Sequence, residues 1–318
     1  MLMFDLDADG SFGRALAADL DLELAPHEQR RFEDGECKLR PLADPRGDDV
    51  YVVHSLHGGP HESPHDKLFA LLSFVATLRD HGAARVTAVV PYLAYGRKDR
   101  RTKPFDPVTQ RYVAQLLEAV GMAQLVMLEA HNPAALENAF RRPVLHLESH
   151  SAFDAVAQRF RGGPLAVASP DPGGVKRAQL WREHLEAQQQ RAIGFALVDK
   201  RRSAGVVSGM DLVAGDVRGA TVLLHDDLIA TGHTLVRAAR ALRAAGAERV
   251  IACAAHGLFV EDAAEALGDP AIERVVVCDS VPAFRVVPGS PLAAKLETAS
   301  CVPLFALALR ESHAAWSR

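Results

Sequence analysis

Two adjacent carboxylates followed by small and hydroxyl residues stand out in residues 223–234, LLHDDLIATGHT. The apolar run at residues 221–224 predicts a buried strand, which we expect to end at Asp226 and Asp227. Residues 230–234 then form a polar turn that opens a helical pattern. Free backbone N–H groups and the helix dipole favour an anion at such a turn. The turn therefore predicts a phosphate site.

The residue types on the two sides of this turn fit a phosphorylated sugar. Glycine permits close approach of the backbone to a ligand, and threonine hydroxyls are hydrogen-bond donors. The two carboxylates would repel a phosphate, but they suit sugar hydroxyls or a metal shared with them. Phosphate at one end and vicinal hydroxyls at the other describe ribose 5-phosphate. The candidate binding residues are Asp226, Asp227, Ala230, Thr231, Gly232, His233 and Thr234. The simpler alternative is an acidic strand end followed by a helix cap.

Polar residues also follow other predicted strands. Four cations surround one acid in YGRKDRR, residues 95–101, and arginine forks bind phosphate in a bidentate manner. His131 follows a strand in EAHNP, and paired glycines follow another in SPDPGG, residues 169–174, where a strand-to-helix turn suits a diphosphate. Asp199-Lys-Arg-Arg202 ends a fourth strand and precedes a small-residue stretch typical of a mobile loop.

Short β-branched runs that alternate with helical patterns must position these residues. The predicted strands are residues 50–56, 86–92, 125–130, 144–147, 165–169, 193–199, 221–227, 250–256 and 274–279. Helical spacing covers residues 66–81, 107–120 and 234–245. Such alternation predicts mainly parallel sheets with helices on both faces, and ligands bind such sheets at the carboxyl ends of the strands. We expect two α/β domains in series, residues 1–148 and 149–318, with the C-terminal segment free to pack on either.

Composition narrows the class of protein. A chain of 318 residues with 48% hydrophobic and 24% charged residues suits two ordinary globular domains. Its net charge of −4 argues against nucleic-acid binding by bulk charge. No apolar stretch is long enough for a membrane helix, and the acidic start MLMFDLDADG is unlike a signal peptide. The four cysteines lack metal-ligand spacing and suit a reduced, cytoplasmic protein.

With these motifs in order, nearly the whole chain resembles the ribose-phosphate pyrophosphokinase family of the phosphoribosyltransferase superfamily. The resemblance implies two tandem phosphoribosyltransferase-type domains. It also implies transfer of the diphosphate of ATP to the 1-hydroxyl of ribose 5-phosphate, which gives phosphoribosyl diphosphate and AMP. Mg²⁺ is the implied cofactor. A homo-oligomer, dimer or hexamer, is implied, because in the family a segment of a neighbouring subunit completes the ATP site.

The resemblance assigns ATP-binding residues in the first domain. FEDGE, residues 32–36, looks like the family segment that holds the nucleotide, so Phe32 is expected on the adenine ring and Glu36 on its amino group, with Asp34 between them in the turn. The GRKDR motif is similar to the family's ATP-contacting run. It assigns Arg97 to the triphosphate, Asp99 to an orienting role, and Lys98 to a position where the family usually has Gln. His131 matches a histidine near the metal and the β-phosphate.

In the second domain the resemblance implies the remaining roles. Asp171 matches an acid that binds magnesium and ribose oxygens, although Pro172 replaces the family's common His. Lys200 and Arg202 belong to the segment that resembles the catalytic loop and are expected to stabilise the transferring group. The ribose-phosphate loop departs from the usual DTAGT, with Ala230 in place of Asp and His233 in place of Gly.

Two other functions fit parts of the pattern. A phosphoribosyltransferase that consumes the activated sugar would leave the nucleotide-binding first domain unexplained. A non-catalytic regulatory homologue would not need His131, Asp171, Lys200 and Arg202. The tail ESHAAWSR does not resemble the serine-containing end that helps to form the phosphate-regulated site in the family's commonest branch. We therefore expect a divergent, weakly regulated member.

Overall fold

The contacts of the chain form two compact units in a computed structural model that describes residues 1–199, 202–203, 206–207 and 212–316. One unit comprises Met1–Glu148 together with Cys301–Arg318, and the other comprises Ser149–Ser300. Each has its own hydrophobic core. The predicted α/β class with mainly parallel sheets flanked by helices is confirmed.

The first unit is built on a five-stranded, fully parallel sheet in the order β1-β4-β5-β6-β7. A separate antiparallel hairpin, β2-β3, lies between β1 and β4 in chain order. The elements in chain order are β1 (Leu2–Asp5), α1 (Ser11–Asp19), β2 (His27–Arg31), β3 (Cys37–Pro41), β4 (Asp49–Val53), α2 (Pro64–Asp80), β5 (Arg85–Val90), α3 (Thr109–Ala119), β6 (Gln124–Leu128), α4 (Pro133–Ala139) and β7 (Val144–Leu147).

The second unit contains a seven-stranded sheet in the order β12-β9-β8-β13-β14-β15-β16, in which only β12 is antiparallel to its neighbour. Short 3₁₀ turns at His150–Phe153 and Pro172–Gly174 precede its first two helices. The elements are α5 (Asp154–Gln158), β8 (Leu165–Ser169), α6 (Val175–Gln189), β9 (Gly194–Asp199), β10 (Arg202–Ser203), β11 (Val206–Val207), β12 (Leu212–Ala214), β13 (Thr221–Ile229), α7 (His233–Ala244), β14 (Arg249–Gly257), α8 (Ala263–Ala266), β15 (Arg274–Cys278) and β16 (Leu296–Ala299).

Local sequence explains the boundaries of the helices. Helix α2 begins with a capping box, in which Ser63 Oγ accepts from the Asp66 N–H and Asp66 Oδ2 accepts from the Ser63 N–H, with Pro64 at the first helical position. Helix α7 buries one stripe of side chains at helical spacing, Leu235, Val236, Ala238, Ala239 and Leu242. That stripe fixes α7 on the sheet and so fixes the turn before it.

The last helix, α9 (Val302–Trp316), belongs to the first unit. Phe305 packs edge-on against Phe12 of α1, with ring centroids 5.3 Å apart. Further along the helix, His313 Nδ1 lies 2.7 Å from Oδ2 of Asp49 at the start of β4. These contacts answer the question that the sequence left open about the C-terminal segment.

One boundary near the acidic pair differs from the sequence-based expectation. Strand β13 does not end at Asp226 and Asp227 but continues to Ile229, because it pairs with β14 as far as Gly257. The neighbouring β8 ends earlier, at Ser169. Within the described ranges, no helix is long and apolar enough to cross a membrane.

Candidate functional site

The acidic pair lies where β13 extends beyond the end of β8. Asp227 is 5% exposed and Asp226 is half-buried. The Asp227 N–H donates to Asp226 Oδ1 at 2.9 Å. Two carboxylates on consecutive residues, with little access to water, face a large cost if both are charged.

Arg177 on the first turn of α6 offsets part of that cost. Its Nη1 lies 3.7 Å from Oδ1 of Asp226 and 3.6 Å from Oδ1 of Asp227, and its side chain is 11% exposed. Burial and the neighbouring charge of Asp227 still hold the pKa of Asp226 well above its usual range. A bound sugar hydroxyl or cation would further stabilise the charged form of Asp226.

The turn after β13 offers a group of unbonded backbone donors. In the part of the chain that is described, the N–H groups from Thr231 to Leu235 have no hydrogen-bond acceptor, and no side chain caps α7. They sit at the N-terminus of a twelve-residue helix. Unbonded N–H groups together with the helix dipole make this turn suited to a phosphate.

Gly232 is required by the geometry of the turn. It has a φ of 80°, and a Cβ added to it would lie 2.7 Å from Cγ of Leu267. A side chain at this position would therefore cost backbone strain and displace a buried leucine.

His233 is the residue that departs most from the usual loop. Its Nε2 lies 3.0 Å from Oδ2 of Asp262. The side chain of His233 is therefore bonded to Asp262, a residue outside the phosphate loop. The His233 N–H is one of the unbonded donors of the turn.

Asp171 closes its own turn at the end of β8. Its Oδ1 accepts from the N–H groups of Gly173 and Gly174 at 2.8 and 3.2 Å. These two N–H groups are thus already bonded inside the protein, which differs from the diphosphate cradle expected from the paired glycines. Oδ2 of Asp171 accepts no hydrogen bond from the described residues.

The donor atoms of the second unit fit a hard cation in part. Carboxylate oxygens are the ligands that Mg²⁺ prefers, and Mg²⁺ in phosphate-transfer sites commonly uses one or two carboxylates together with substrate phosphates. No group of three or more His, Cys, Asp or Glu side chains suited to a metal occurs among the described residues. A carboxylate oxygen such as Oδ2 of Asp171 can therefore contribute to a cation site only together with a substrate.

In the first unit, residues 32–36 form the turn between β2 and β3. The Phe32 N–H donates to the Glu36 carbonyl at 2.8 Å, and the Glu36 N–H donates to Oδ1 of Asp34 at 3.1 Å. Gly35 has a φ of 93°, so glycine is favoured there. Asp34 and Glu36 are exposed at the tip, while the half-buried ring of Phe32 lies under the guanidinium of Arg30 at 4.8 Å.

The loops that follow β5 and β6 are joined through Asp99. Asn132 donates from Nδ2 to Oδ2 of Asp99 at 2.6 Å, which brings this acid next to the segment that carries the exposed His131. Lys98 is held by Asp106, with 2.6 Å between Nζ and Oδ2, whereas Arg97 is exposed. The orienting role of Asp99 stays a prediction.

The predicted catalytic residues fall at the limit of what is described. Lys200 lies outside the described residues, and for Arg202 only the backbone, in β10, is described.

Sequence reasoning did not single out Arg177. Its signal was present, since a cation three residues after Gly174 lies on the first turn of a helix that starts at a strand's carboxyl end. Helical spacing alone does not tell which face of that turn meets the next strand, so the contact with the acidic pair required the structure.

Comparison with known proteins agrees with this arrangement. Residues 1–121 match the N-terminal domain of ribose phosphate pyrophosphokinase, and residues 203–317 match the phosphoribosyl synthetase-associated domain. The chain is 34% identical to the ribose-phosphate pyrophosphokinase of Caldanaerobacter subterraneus subsp. tengcongensis, over 98% of this chain and 94% of the relative. It is 32% identical to the Thermotoga maritima protein of the same name, over 88% of this chain and 87% of the relative.

A solved structure shows the same likeness in three dimensions. The phosphoribosylpyrophosphate synthetase from Mycobacterium smegmatis aligns with a TM-score of 0.86 and 28% identity, covering 99% of both chains. Sequence identity above 30% over almost the full length, together with this structural match, shows that the chain belongs to the ribose-phosphate pyrophosphokinase family.

Proposed function

We propose that this protein is a ribose-phosphate diphosphokinase, which transfers the diphosphate of ATP to the 1-hydroxyl of ribose 5-phosphate and releases AMP. The observation that carries the proposal is the juxtaposition on β13 and α7 of a buried acidic pair and five unbonded backbone N–H groups. Phosphate binds at the turn of residues 230–234, beside the unbonded N–H groups of Thr231 to Leu235 in the described part of the chain. The ribose hydroxyls bind at Asp226 and Asp227, whose carboxylates accept hydrogen bonds.

The first unit binds ATP in this proposal. Arg97 contacts the triphosphate because it is exposed and its guanidinium can donate two parallel hydrogen bonds. Asp99, fixed by Asn132, orients that loop, and Lys98 with His131 completes the phosphate side. Phe32, Asp34 and Glu36 hold the adenine of a nucleotide bound by a neighbouring subunit, which makes the protein a homo-oligomer, either a dimer or a hexamer.

Magnesium supplies charge neutralisation on the transferring phosphates in this class of reaction. Asp171 and His131 are the proposed protein contacts, directly or through water. The acidic pair holds the sugar so that its 1-hydroxyl oxygen attacks the β-phosphorus of ATP in line with the leaving AMP. The bond from this phosphorus to the oxygen that AMP keeps is broken, and the hydroxyl proton passes to solvent. We place the protein in the cytoplasm, in accord with four cysteines that form no disulfide in the structure.

Lys200 and Arg202 are proposed to stabilise the transition state. Transfer of a diphosphoryl group needs little covalent help from the protein and depends on positioning and on positive charge near the transferring group. Both residues follow β9, the neighbour of β8 in the sheet.

A single assay tests the reaction. The protein is incubated with ATP, Mg²⁺ and ribose 5-phosphate, and nucleotide products are followed. AMP that forms only when the sugar is present supports diphosphate transfer. ADP would indicate transfer of a single phosphoryl group, and absence of turnover, with activity restored to a partner enzyme, would favour the regulatory homologue.

The Lys200→Ala variant tests the assignment of the catalytic residue. We expect kcat to fall by roughly two to three orders of magnitude with little change in KM, as for a charge that acts mainly in the transition state. Arg218→Ala is the control, since the side chain of Arg218, a cation of the same unit, is 79% exposed and pairs with Asp216 in its own turn. Near-normal turnover of Lys200→Ala would remove this residue from the mechanism.

A further inference from the structure

The segment after β14 forms a wall beside the phosphate loop. The N–H groups of Leu258 and Phe259 donate to the Ile229 carbonyl at 2.9 and 3.2 Å, and the Val260 N–H donates to the Ala230 carbonyl at 3.0 Å. This wall is thus bonded to the backbone on which the phosphate loop begins.

The turn that ends this wall is built in an unusual backbone conformation. Phe259 and Glu261 have φ values of 45° and 55°, which non-glycine residues rarely adopt. The turn presents Asp262 to His233, with Oδ1 and Oδ2 lying 3.1 and 3.0 Å from Nε2. The imidazole therefore has a defined partner outside the phosphate loop.

Because His233 lies beside the unbonded N–H groups, the orientation of its side chain affects access to them. It is the first residue of α7, and Cα–Cβ bonds in a helix tilt toward the N-terminus. An imidazole at this position leans toward the end of the helix at which the unbonded N–H groups are exposed. In a rotamer that is not held by Asp262, the ring would compete with a phosphate for that space.

We infer that Asp262 is a positioning residue of the sugar-phosphate site, which acts by holding the His233 side chain beside the 258–262 wall. The phosphate loop can then carry a bulky residue where a small one would be expected, without loss of access to its backbone donors. This inference rests on the proposed function, because it assigns the loop to the phosphate of ribose 5-phosphate.

A double-mutant cycle in KM tests the inference. Both partners are more than half exposed, and an ion pair between exposed side chains contributes little free energy. The pair should therefore favour the observed rotamer of His233 by only a modest factor. For Asp262→Ala we expect KM for ribose 5-phosphate to rise roughly two- to fivefold at unchanged kcat. Asp262→Ala combined with His233→Gly should have the same KM as His233→Gly alone, because Asp262 acts only through the imidazole. Asp262→Asn, which keeps an acceptor oxygen, should show a smaller rise than Asp262→Ala.

A second histidine–aspartate pair of the same unit provides the matched control. His184 Nε2 lies 2.9 Å from Oδ2 of Asp154, between α6 and α5. Asp154→Ala should leave KM for ribose 5-phosphate unchanged, and thermal unfolding of all variants checks that they are folded.

The possible results separate the inference from the function on which it rests. If Asp262→Ala raised KM in the His233→Gly background as much as it does in the parent, the inference would be overturned, since Asp262 would then act without the imidazole. If the parent protein forms no AMP from ATP and ribose 5-phosphate, the proposed function itself fails, and ribose 5-phosphate binding measured by calorimetry then decides whether the loop assignment survives.

Discussion

Asp5 at the end of β1 is a buried acid with an unmatched oxygen. It is 8% exposed, and while its Oδ1 accepts from the Asp7 N–H at 3.0 Å, its buried Oδ2 has no hydrogen-bond partner in the described part of the chain. Burial raises the pKa of its carboxyl group to about 6. Compared with the unfolded chain, the folded protein therefore keeps this carboxyl group protonated to a higher pH.

The sign of the resulting pH dependence follows from that shift. Because the folded pKa lies above the ordinary value of 3.8, the stability linked to Asp5 is present below about pH 4 and is lost as the pH rises through about 6. Asp5→Asn is neutral at every pH and keeps the acceptor for the Asp7 N–H. Its free energy of unfolding relative to the parent should rise by about 2 kcal/mol between pH 4.5 and 7.5.

Urea unfolding at the two pH values measures this change. Asp9→Asn is the control, since it removes the same charge from an exposed position of the same segment. If the free energies of unfolding of Asp5→Asn and the parent differed by the same amount at both pH values, Asp5 would already be ionised at pH 4.5 in the folded protein, and its pKa would not be raised.

Asp7 illustrates the opposite balance two residues later. Burial disfavours its charge, but the charges and hydrogen bonds of His54 and Lys67 outweigh burial and hold the pKa of Asp7 well below its usual range. Lys67 Nζ lies 2.8 Å from Asp7 Oδ1 and also donates to the Ser55 carbonyl at 2.9 Å. The pKa values of two acids on one short segment are thus shifted in opposite directions, because Asp7 is bonded to basic side chains whereas burial dominates at Asp5.

At the scale of elements, the junction of β13 and α7 makes a prediction about Gly232. Gly232→Ala forces a left-handed conformation on alanine and places its Cβ against Leu267. We expect a loss of stability of about 2 to 3 kcal/mol. We also expect KM for ribose 5-phosphate to rise by on the order of tenfold, because the N–H groups of the turn move.

Gly289→Ala separates the two causes. Gly289 has a φ of 81°, nearly equal to that of Gly232, but a Cβ there would meet no atom within 4 Å. This control should cost only the backbone strain, about 1 kcal/mol, and leave KM unchanged. Equal effects of the two substitutions on stability and on KM would mean that contact with Leu267 does not position the phosphate loop.

The sequence predicted best those elements that have strong local patterns. The helix predicted at residues 234–245 is α7, His233–Ala244, because its apolar stripe has a clear helical period. Most strands buried on both faces were likewise visible as β-branched runs. The hairpin β2-β3 was missed because HEQRR and CKLRP are polar and stand outside the main sheet.

The candidate site was predictable only as far as chain order fixes it. The order strand, acidic pair, turn and helix placed residues 226–234 at a ligand-binding edge. Asn132 contacts Asp99 from 33 residues away in sequence, and Asp262 contacts His233 from 29 residues away. Arg177 contacts the acidic pair from a separate helix, α6. The partners of a side chain depend on register and on loop path, which a single sequence does not encode in any local pattern.

At the scale of the whole molecule, each unit carries one of the chain's two tryptophans. Trp181 is fully buried in the second unit, with its ring centroid 4.8 Å from that of His225. Trp316, at the end of α9, lies over the guanidinium of Arg85 at 5.4 Å in the first unit. The fluorescence of each tryptophan therefore reports on one unit.

The contacts near Trp316 show what holds the last helix. The buried carboxylate of Asp49 accepts from Arg85 at 2.6 and 2.7 Å and from the Tyr51 hydroxyl at 2.8 Å, and His313 lies against its Oδ2. Burial opposes the charge, yet these bonds lower the pKa of Asp49. The end of α9 is thus tied to the start of β4, since His313 and Asp49 are 264 residues apart in sequence.

His313→Ala should therefore weaken the first unit. Because Asp49 keeps Arg85 and Tyr51, we expect a loss of about 1 to 2 kcal/mol, the cost of one hydrogen bond to a charged group. In a Trp181→Phe background, the Trp316 transition in urea should move to lower concentration by the corresponding amount. Leu307→Ala is the control, since Leu307 lies on the same helix and is 56% exposed. It should change the free energy of unfolding by less than about 0.5 kcal/mol. If His313→Ala moved the midpoint no more than Leu307→Ala, apolar packing such as that of Phe305 on Phe12 would be sufficient to hold α9, and the polar cluster around Asp49 would serve only to neutralise its own charges.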